Sequence, residues 1–384
     1  MAYLDHNAIT PVRPEARAAV AAALDVFGNP SSVHGPGRAA RDLLDRSRAA
    51  VADAIGARPS ELVFTSGATE AAALAIRGVL EAADAGRDDL VVTAVEHPCV
   101  LGVAEALRAG GRRVTVLPVD RCGIPDPSAV RAAITPRTAL VCAMLANNET
   151  GVLLPVRELA AAAHDQGALF FTDAVQAVGK IDVDVRTLGA DLLALTSQKF
   201  GGPRGAGALW IERGLRLAPL FGGTQERGRR AGTENLPGIA GLGAALSAAV
   251  AHLAEEERRV SALRDRLEAG LLDAVAGSFV NGAGAPRLPG TLSITLPDVD
   301  AEALLMALDL EDIHASAGSA CHSGSTRPSS VLSAIGLGVA EARSTLRLSL
   351  GWTSTSEDVA RALEAIPRLS SRVRAAIAGA QAAP

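Results

Sequence analysis

From about residue 60 to about residue 210 the chain alternates short, continuous apolar runs with longer alanine-rich stretches of helical character. The first four runs are Glu61-Leu-Val-Phe-Thr65, Leu90-Val-Val-Thr-Ala94, Arg113-Val-Thr-Val-Leu117 and Thr138-Ala-Leu-Val-Cys-Ala-Met144. Ala168-Leu-Phe-Phe-Thr172, Asp191-Leu-Leu-Ala-Leu195 and Ala206-Gly-Ala-Leu-Trp-Ile211 follow. A strand that is apolar along its whole length has both faces covered, and helices between such strands provide the cover. The pattern therefore predicts an α/β fold around a mostly parallel, seven-stranded sheet. Such sheets bind ligands at the C-terminal ends of their strands, which directs attention to the residues just after each run.

Near Glu255 the pattern changes to a charged helix, Glu255-Glu-Glu-Arg-Arg-Val-Ser-Ala-Leu-Arg-Asp-Arg-Leu267, followed by mixed strands and helices. The expected division is a large domain over residues 13–255 and a smaller α+β domain formed by residues 1–12 together with 256–384. With 384 residues and 48% hydrophobic content, the chain can bury a core in each. A net charge of -5 gives no sign of nucleic acid or an anionic membrane as partner. The apolar stretch from Leu236 to Val250 is interrupted by Pro237 and several glycines and is too short to span a bilayer. The first residues lack the basic and apolar regions of a signal peptide. The four cysteines, Cys99, Cys122, Cys142 and Cys321, have neither disulfide-framework nor zinc-site spacing, so a cytoplasmic protein with free thiols is expected.

The chain writes almost all of its 37 basic residues as arginine; Lys180 and Lys199 are the only lysines. Arginine stays protonated, whereas a lysine amine can lose its proton and act as a nucleophile. Lys199 is the stronger candidate, since it ends an apolar run and opens the glycine-rich turn Phe200-Gly-Gly-Pro-Arg-Gly-Ala-Gly207; codon bias is the plain alternative. At the other strand ends the readings also come in pairs. Asp173 either caps a helix or meets a cation such as a pyridinium ring. The backbone of Gly67, Ala68 and Thr69, with the Thr69 hydroxyl, either cradles a phosphate or is an ordinary helix start capped by Ser66. His97 either stacks on a ring and moves protons or caps a helix, and Asn147-Asn-Glu either binds a ligand or forms a turn. Cys321 lies in Ala315-Ser-Ala-Gly-Ser-Ala-Cys-His-Ser-Gly-Ser325, among small residues that would leave it accessible and reactive, whereas Cys99 and Cys142 sit among apolar neighbours. Phosphate cradle, ring stack, pyridinium partner and Schiff-base lysine fall at successive strand ends, in an order that suits one ligand.

These segments resemble the NifS/IscS-type cysteine desulfurases, which are class V aminotransferase-like pyridoxal phosphate enzymes of fold type I. The resemblance runs nearly end to end through Tyr3-Leu-Asp-His-Asn-Ala8, Phe27-Gly-Asn-Pro-Ser-Ser32, Phe64-Thr-Ser-Gly-Ala-Thr-Glu70, Asn147-Asn-Glu149 and Asp173-Ala-Val-Gln176. It continues through Gln225-Glu-Arg-Gly-Arg-Arg-Ala-Gly-Thr-Glu-Asn235, Gly318-Ser-Ala-Cys321 and Leu346-Arg-Leu-Ser-Leu-Gly351. The long loop of residues 316–330 is like the NifS/IscS group rather than the SufS-like group. The resemblance implies that Lys199 carries pyridoxal phosphate as a Schiff base, His97 stacks on the ring, Asp173 pairs with the pyridinium and Gln176 contacts the ring hydroxyl. It places Ala68, Thr69, Thr196 and Gln198 at the phosphate, joined by Thr233 from a second copy in a homodimer. Asn148, at the cofactor, and Arg347 would hold the substrate carboxylate with Asn29 near them, and Cys321 would accept sulfur. Gln198 stands where the family usually has His, and Ile9 where it usually has Thr. On this resemblance, the longer C-terminal tail of housekeeping IscS proteins is not expected here.

The activity implied is conversion of L-cysteine to L-alanine. Sulfur would pass through a Cys321 persulfide to an iron–sulfur scaffold or another acceptor, with no resident metal. The alternatives are a class V aminotransferase acting on a small amino acid, a selenocysteine lyase, and a non-catalytic sulfur carrier.

Overall fold

The computed structural model describes residues 1–317 and 329–382. Each of the seven apolar runs forms a strand: β1 (Leu62–Thr65), β2 (Asp89–Thr93), β3 (Val114–Leu117), β4 (Thr138–Cys142), β5 (Leu169–Asp173), β6 (Leu192–Thr196) and β7 (Gly207–Ile211). They make one sheet in the order β1-β7-β6-β5-β4-β2-β3. The five strands from β6 to β3 run parallel, and β7 is antiparallel to both of its neighbours. The central strands are buried on both faces, as their composition requires, while edge strand β3 is partly exposed. The other edge, β1, is buried, because Glu226 and Arg48 close it. Glu226 accepts from the Phe64 N–H at 2.9 Å, Arg48 donates to the Leu62 carbonyl at 3.0 Å, and the two side chains pair with each other. An edge satisfied in this way offers no template for another strand.

Two apolar cores lie on either face of this sheet, one around Phe170, Leu193 and Leu242 and the other around Phe171, Leu74 and Leu209. A third core joins Ala2 and Leu4 to residues between Val260 and Leu369. Its sheet comprises β8 (Phe279–Val280), β9 (Thr291–Thr295), β10 (Ser316–Ala317) and β11 (Thr345–Ser349), in the order β10-β11-β9-β8. The chain's start is tied to this core by the parallel pairing of Ala2–Tyr3 with Ile313–His314. The apolar helix Leu236–Ala251 packs in the first core, and among the described residues no single helix is long and apolar enough to cross a membrane.

Candidate active site

Helix Ala68–Ala82 starts at Gly67, whose φ of 155° suits glycine alone. Behind it, a Cβ on Gly207 of β7 would lie 2.7 Å from the Gly67 Cα, so two glycines let the turn press against the strand ends. No side chain caps this helix. Ser66, the cap in the alternative reading, instead donates its N–H to Glu70 Oε2 at 2.8 Å, and Glu70 is held by Arg230 at 2.7 Å. The first-turn N–H groups near Ala68 and Thr69 thus remain available to an anion. Thr196 stands beside them, 3.6 Å from where a Gly67 Cβ would be. Its hydroxyl donates to Gln198 Oε1 at 2.6 Å, which leaves the Gln198 NH2 end to donate elsewhere. Thr233 is exposed on the loop before helix Leu236–Ala251. Asn29 is exposed on a turn, its carboxamide oxygen accepting from the Ser31 N–H.

Asp173, His97 and Lys199 converge from the ends of β5, β2 and β6. Asp173 is buried and its Oδ1 accepts from the Val175 N–H at 2.9 Å; burial pushes its carboxyl up to about 6, against that hydrogen bond and the nearby Lys199. His97 does cap helix Pro98–Ala109, accepting the Cys99 N–H at 3.1 Å. Burial, helped by Lys199, pushes its imidazole down to about 4, so the ring is neutral at pH 7. Capping and cofactor roles are therefore compatible, since the cap uses only Nδ1. The Lys199 Nζ donates to the carbonyls of Asn7 at 2.6 Å and Ala8 at 2.7 Å.

The paired asparagines divide their work. Asn147 makes the turn, its Oδ1 accepting from the N–H groups of Glu149 and Thr150 at 2.9 and 3.0 Å. Asn148 has a buried Oδ1 without a partner among the described residues, and its carbonyl accepts from Arg347 Nη1 at 3.1 Å. Arg347, in the middle of β11, is 2% exposed, pairs with Asp5 at 2.9 Å, and keeps a buried Nε without a partner among the described residues. Unspent polar groups at this depth cost free energy unless a ligand meets them.

Cys321 lies outside the described residues, but the two ends of its loop are defined. Ser316 pairs with Arg347 in the sheet, and Ser329 donates its hydroxyl to Glu149 Oε2 at 2.6 Å. Burial pushes the Glu149 carboxyl up to about 7 against that bond and Arg347. Because the folded value is raised, the stability contribution is complete below the unfolded value near 4.5 and is lost as pH rises through about 7. Glu149→Gln keeps the acceptor without the charge. Relative to the native chain it should gain stability between pH 4.5 and 7, reaching roughly 3 kcal/mol above pH 7, as read by urea unfolding at pH 5 and 8. Of the other thiols, Cys142 is buried and Cys99 only half-buried, in a helix's first turn rather than in the core as expected.

Two residues that reading the strand ends did not single out complete the site. Asn7 joins its parts: its amide donates to the Asn148 carbonyl and the Thr291 hydroxyl, while its carbonyl accepts from Gln176 Nε2 at 3.0 Å as well as from Lys199. Lys180, the other lysine, donates to Asn7 Oδ1 at 2.9 Å and Gln176 Oε1 at 2.6 Å. Its rarity in the composition was a signal; Asn7 lies in the segment Tyr3–Ala8 that carries the resemblance, but no role was read for it there. Beneath His97, the buried Glu96 takes the Thr93 hydroxyl and the Met144 N–H on one oxygen, and burial pushes its carboxyl up to about 7, helped by Asp173.

Comparison with known proteins adds an independent line. Residues 2–362 match the family model described as aminotransferase class-V. A cysteine desulfurase of Gluconacetobacter diazotrophicus is 46% identical over 379 residues, covering 97% of this chain and 94% of that protein. A solved NifS-like protein superposes with a TM-score of 0.89 at 32% identity, over 96% of this chain and 99% of the other. SspA in complex with cysteine superposes with a TM-score of 0.81 at 34% identity, over 92% and 100%.

Proposed function

From the premise that this chain belongs to the class V aminotransferase family, we propose that it is a cysteine desulfurase that uses pyridoxal phosphate. The observation that carries the reading is the meeting of Lys199 with a buried Asp173 and a neutral His97 beside an uncapped helix N-terminus. These residues fit that cofactor. The first turn at Ala68 and Thr69, with Thr196 and the Gln198 amide, would take the phosphate, joined by Thr233 of a second copy. Asp173, costly as an isolated buried carboxylate, would face the ring nitrogen; His97 would cover the ring, and Gln176 would reach its hydroxyl. When bound, the cofactor supplies an electron sink for the pair released as a bond at the substrate Cα breaks.

The chain's own residues do the rest. Arg347 Nε and the Asn148 amide orient the L-cysteine carboxylate, which aims the Cα–H bond and the sulfur in fixed directions; Asn29 would stand near them. The Lys199 amine holds and returns the Cα proton. Its position at the end of a rigid strand keeps that amine aimed. The Cys321 thiolate forms an S–S bond to the substrate sulfur as the Cβ–S bond breaks. The pair from that bond stays with Cβ, which takes up a proton equivalent to the one the substrate thiol gives up, leaving a Cys321 persulfide and L-alanine. Ser316 and Ser329, anchored to β11 and Glu149, hold the ends of the loop that brings this thiol.

Residues 13–255 would form the cofactor-binding domain, and residues 1–12 with 256–384 the domain that carries the thiol. The protein would act as a homodimer in the cytoplasm, where thiols remain reduced, and pass sulfur to an iron–sulfur scaffold or another acceptor. The test is to supply L-cysteine, pyridoxal phosphate and a thiol reductant, and to measure alanine and sulfide. Equal amounts of both are expected. Amino-group transfer to a keto acid without sulfide would replace this reading with an aminotransferase.

A further inference from the structure

Two N–H groups along the open side of β1 and its extension, at Phe64 and Ser66, are each met by a carboxylate that an arginine holds. Glu226 takes the first and pairs with Arg48; Glu70 takes the second and pairs with Arg230. Alternate residues of a strand turn their N–H groups to the same side, so one chemistry serves both positions. The pairs differ in where they end. The first closes the strand alone, whereas the second reaches into the helix that follows. Glu70 is the third residue of helix Ala68–Ala82, so its carboxylate is planted in the first turn that no side chain caps. There it has two opposite effects. It fixes the turn by taking the Ser66 N–H, and it brings negative charge to a helix end that otherwise favours anions. Burial raises the Glu70 carboxyl, but the hydrogen bonds from Arg230 and Ser66 outweigh it and hold the group below the usual glutamate range, so at pH 7 the charge is present. Arg230 meets it with two nitrogens, Nε to Oε1 at 2.7 Å and Nη2 to Oε2 at 3.3 Å, a fork that a lysine lacks.

We propose that Arg230 is a positioning residue for the phosphate: by pairing with Glu70 it cancels the charge in that first turn, and so lets Glu70 brace Ser66 without turning an anion away. This rests on the reading of the turn as the cofactor's phosphate site. The same pair ties down the segment Gln225–Asn235, which is fastened to the turn through Arg230 and to β1 through Glu226, with Thr233 three residues beyond Arg230. Two other carboxylates act on Arg230. Glu226 already has Arg48, while Glu234 keeps a buried Oε2 without a partner among the described residues. The variants below therefore separate Glu70 from Glu234.

Cofactor-free full-length protein is titrated calorimetrically with pyridoxine 5′-phosphate, which carries the phosphate but no aldehyde to react with Lys199. Arg230→Gln should weaken binding about tenfold, the scale of one uncompensated, partly buried charge beside an anion. Glu70→Gln keeps an acceptor for Ser66 and leaves the Arg230 cation unspent, so it should tighten binding about threefold or more. The double variant Glu70→Gln/Arg230→Gln has neither charge and should return to within about threefold of the native value. A merely structural brace predicts the opposite sign: Glu70→Gln would bind more weakly, and the double variant at least as weakly as Arg230→Gln. Either of those results, or unchanged binding in a folded Arg230→Gln protein, would overturn the proposal. Should the Arg230 variants not fold by circular dichroism, the direction of the change in Glu70→Gln decides alone. A native protein that binds no pyridoxine phosphate is a different result, and it counts against the proposed function instead.

Discussion

Lys199→Ala should lower alanine formation from L-cysteine by at least about 10³-fold. The methyl group has no lone pair to hold the Cα proton. Its nearest replacement, Lys180, is turned to Asn7 and Gln176 rather than to the strand end. The cofactor should still bind, because the uncapped helix turn, Asp173 and His97 remain, but it should leave on prolonged dialysis where the native protein retains it. Lys199→Arg should lose as much activity, since a guanidinium neither condenses with an aldehyde nor gives up its proton. Alanine assay and retained cofactor, measured on the same preparations, separate a lost base from a lost binding site.

Cys321→Ala should abolish persulfide and reduce alanine formation to about the level of the Lys199 variant, while cofactor absorbance and binding of L-cysteine persist. In the proposed reaction the thiolate would accept the substrate sulfur, and without it the Cβ–S bond would have no partner to break against. Neither of the two half-buried thiols, Cys99 and Cys122, can stand in. Burial pushes both Cys99 and Cys122 above the usual thiol range, away from the thiolate form. Persulfide is read by alkylation and mass spectrometry of the loop peptide. Undiminished alanine in this variant would remove Cys321 from the reaction.

The sheet was legible because its strands are buried on two faces, so each left an uninterrupted apolar run that no amphipathic helix would leave. What such a run cannot carry is direction: Ala206–Ile211 reads like its neighbours, yet β7 is antiparallel to them. Burial at the edges was equally silent, since β1 is closed by Arg48 and by Glu226, which reaches it from far along the chain. The strand-end residues of the site were legible because the topology of a parallel sheet brings those ends together. At Asp173 and His97 the structural and functional readings proved compatible, because a side chain can cap a turn with one atom and face a ligand with another. At Ser66 the capping alternative failed: Gly67 begins the helix without a cap, and Glu70 rather than Ser66 closes the turn. Asn7 stood inside the segment Tyr3–Ala8, but its role was not legible there. Its bonds reach Asn148, Gln176, Lys199, Thr291 and Ser349, and a hub made by long-range return of the chain leaves no periodic trace.

One covalent linkage underlies the whole account, and it can be read directly. The protein is loaded with pyridoxal phosphate, reduced with borohydride, digested and weighed peptide by peptide. The account requires the pyridoxyl phosphate adduct on the peptide carrying Lys199. An adduct on Lys180 or on the N-terminal amine instead, or a protein that takes up none, would contradict it.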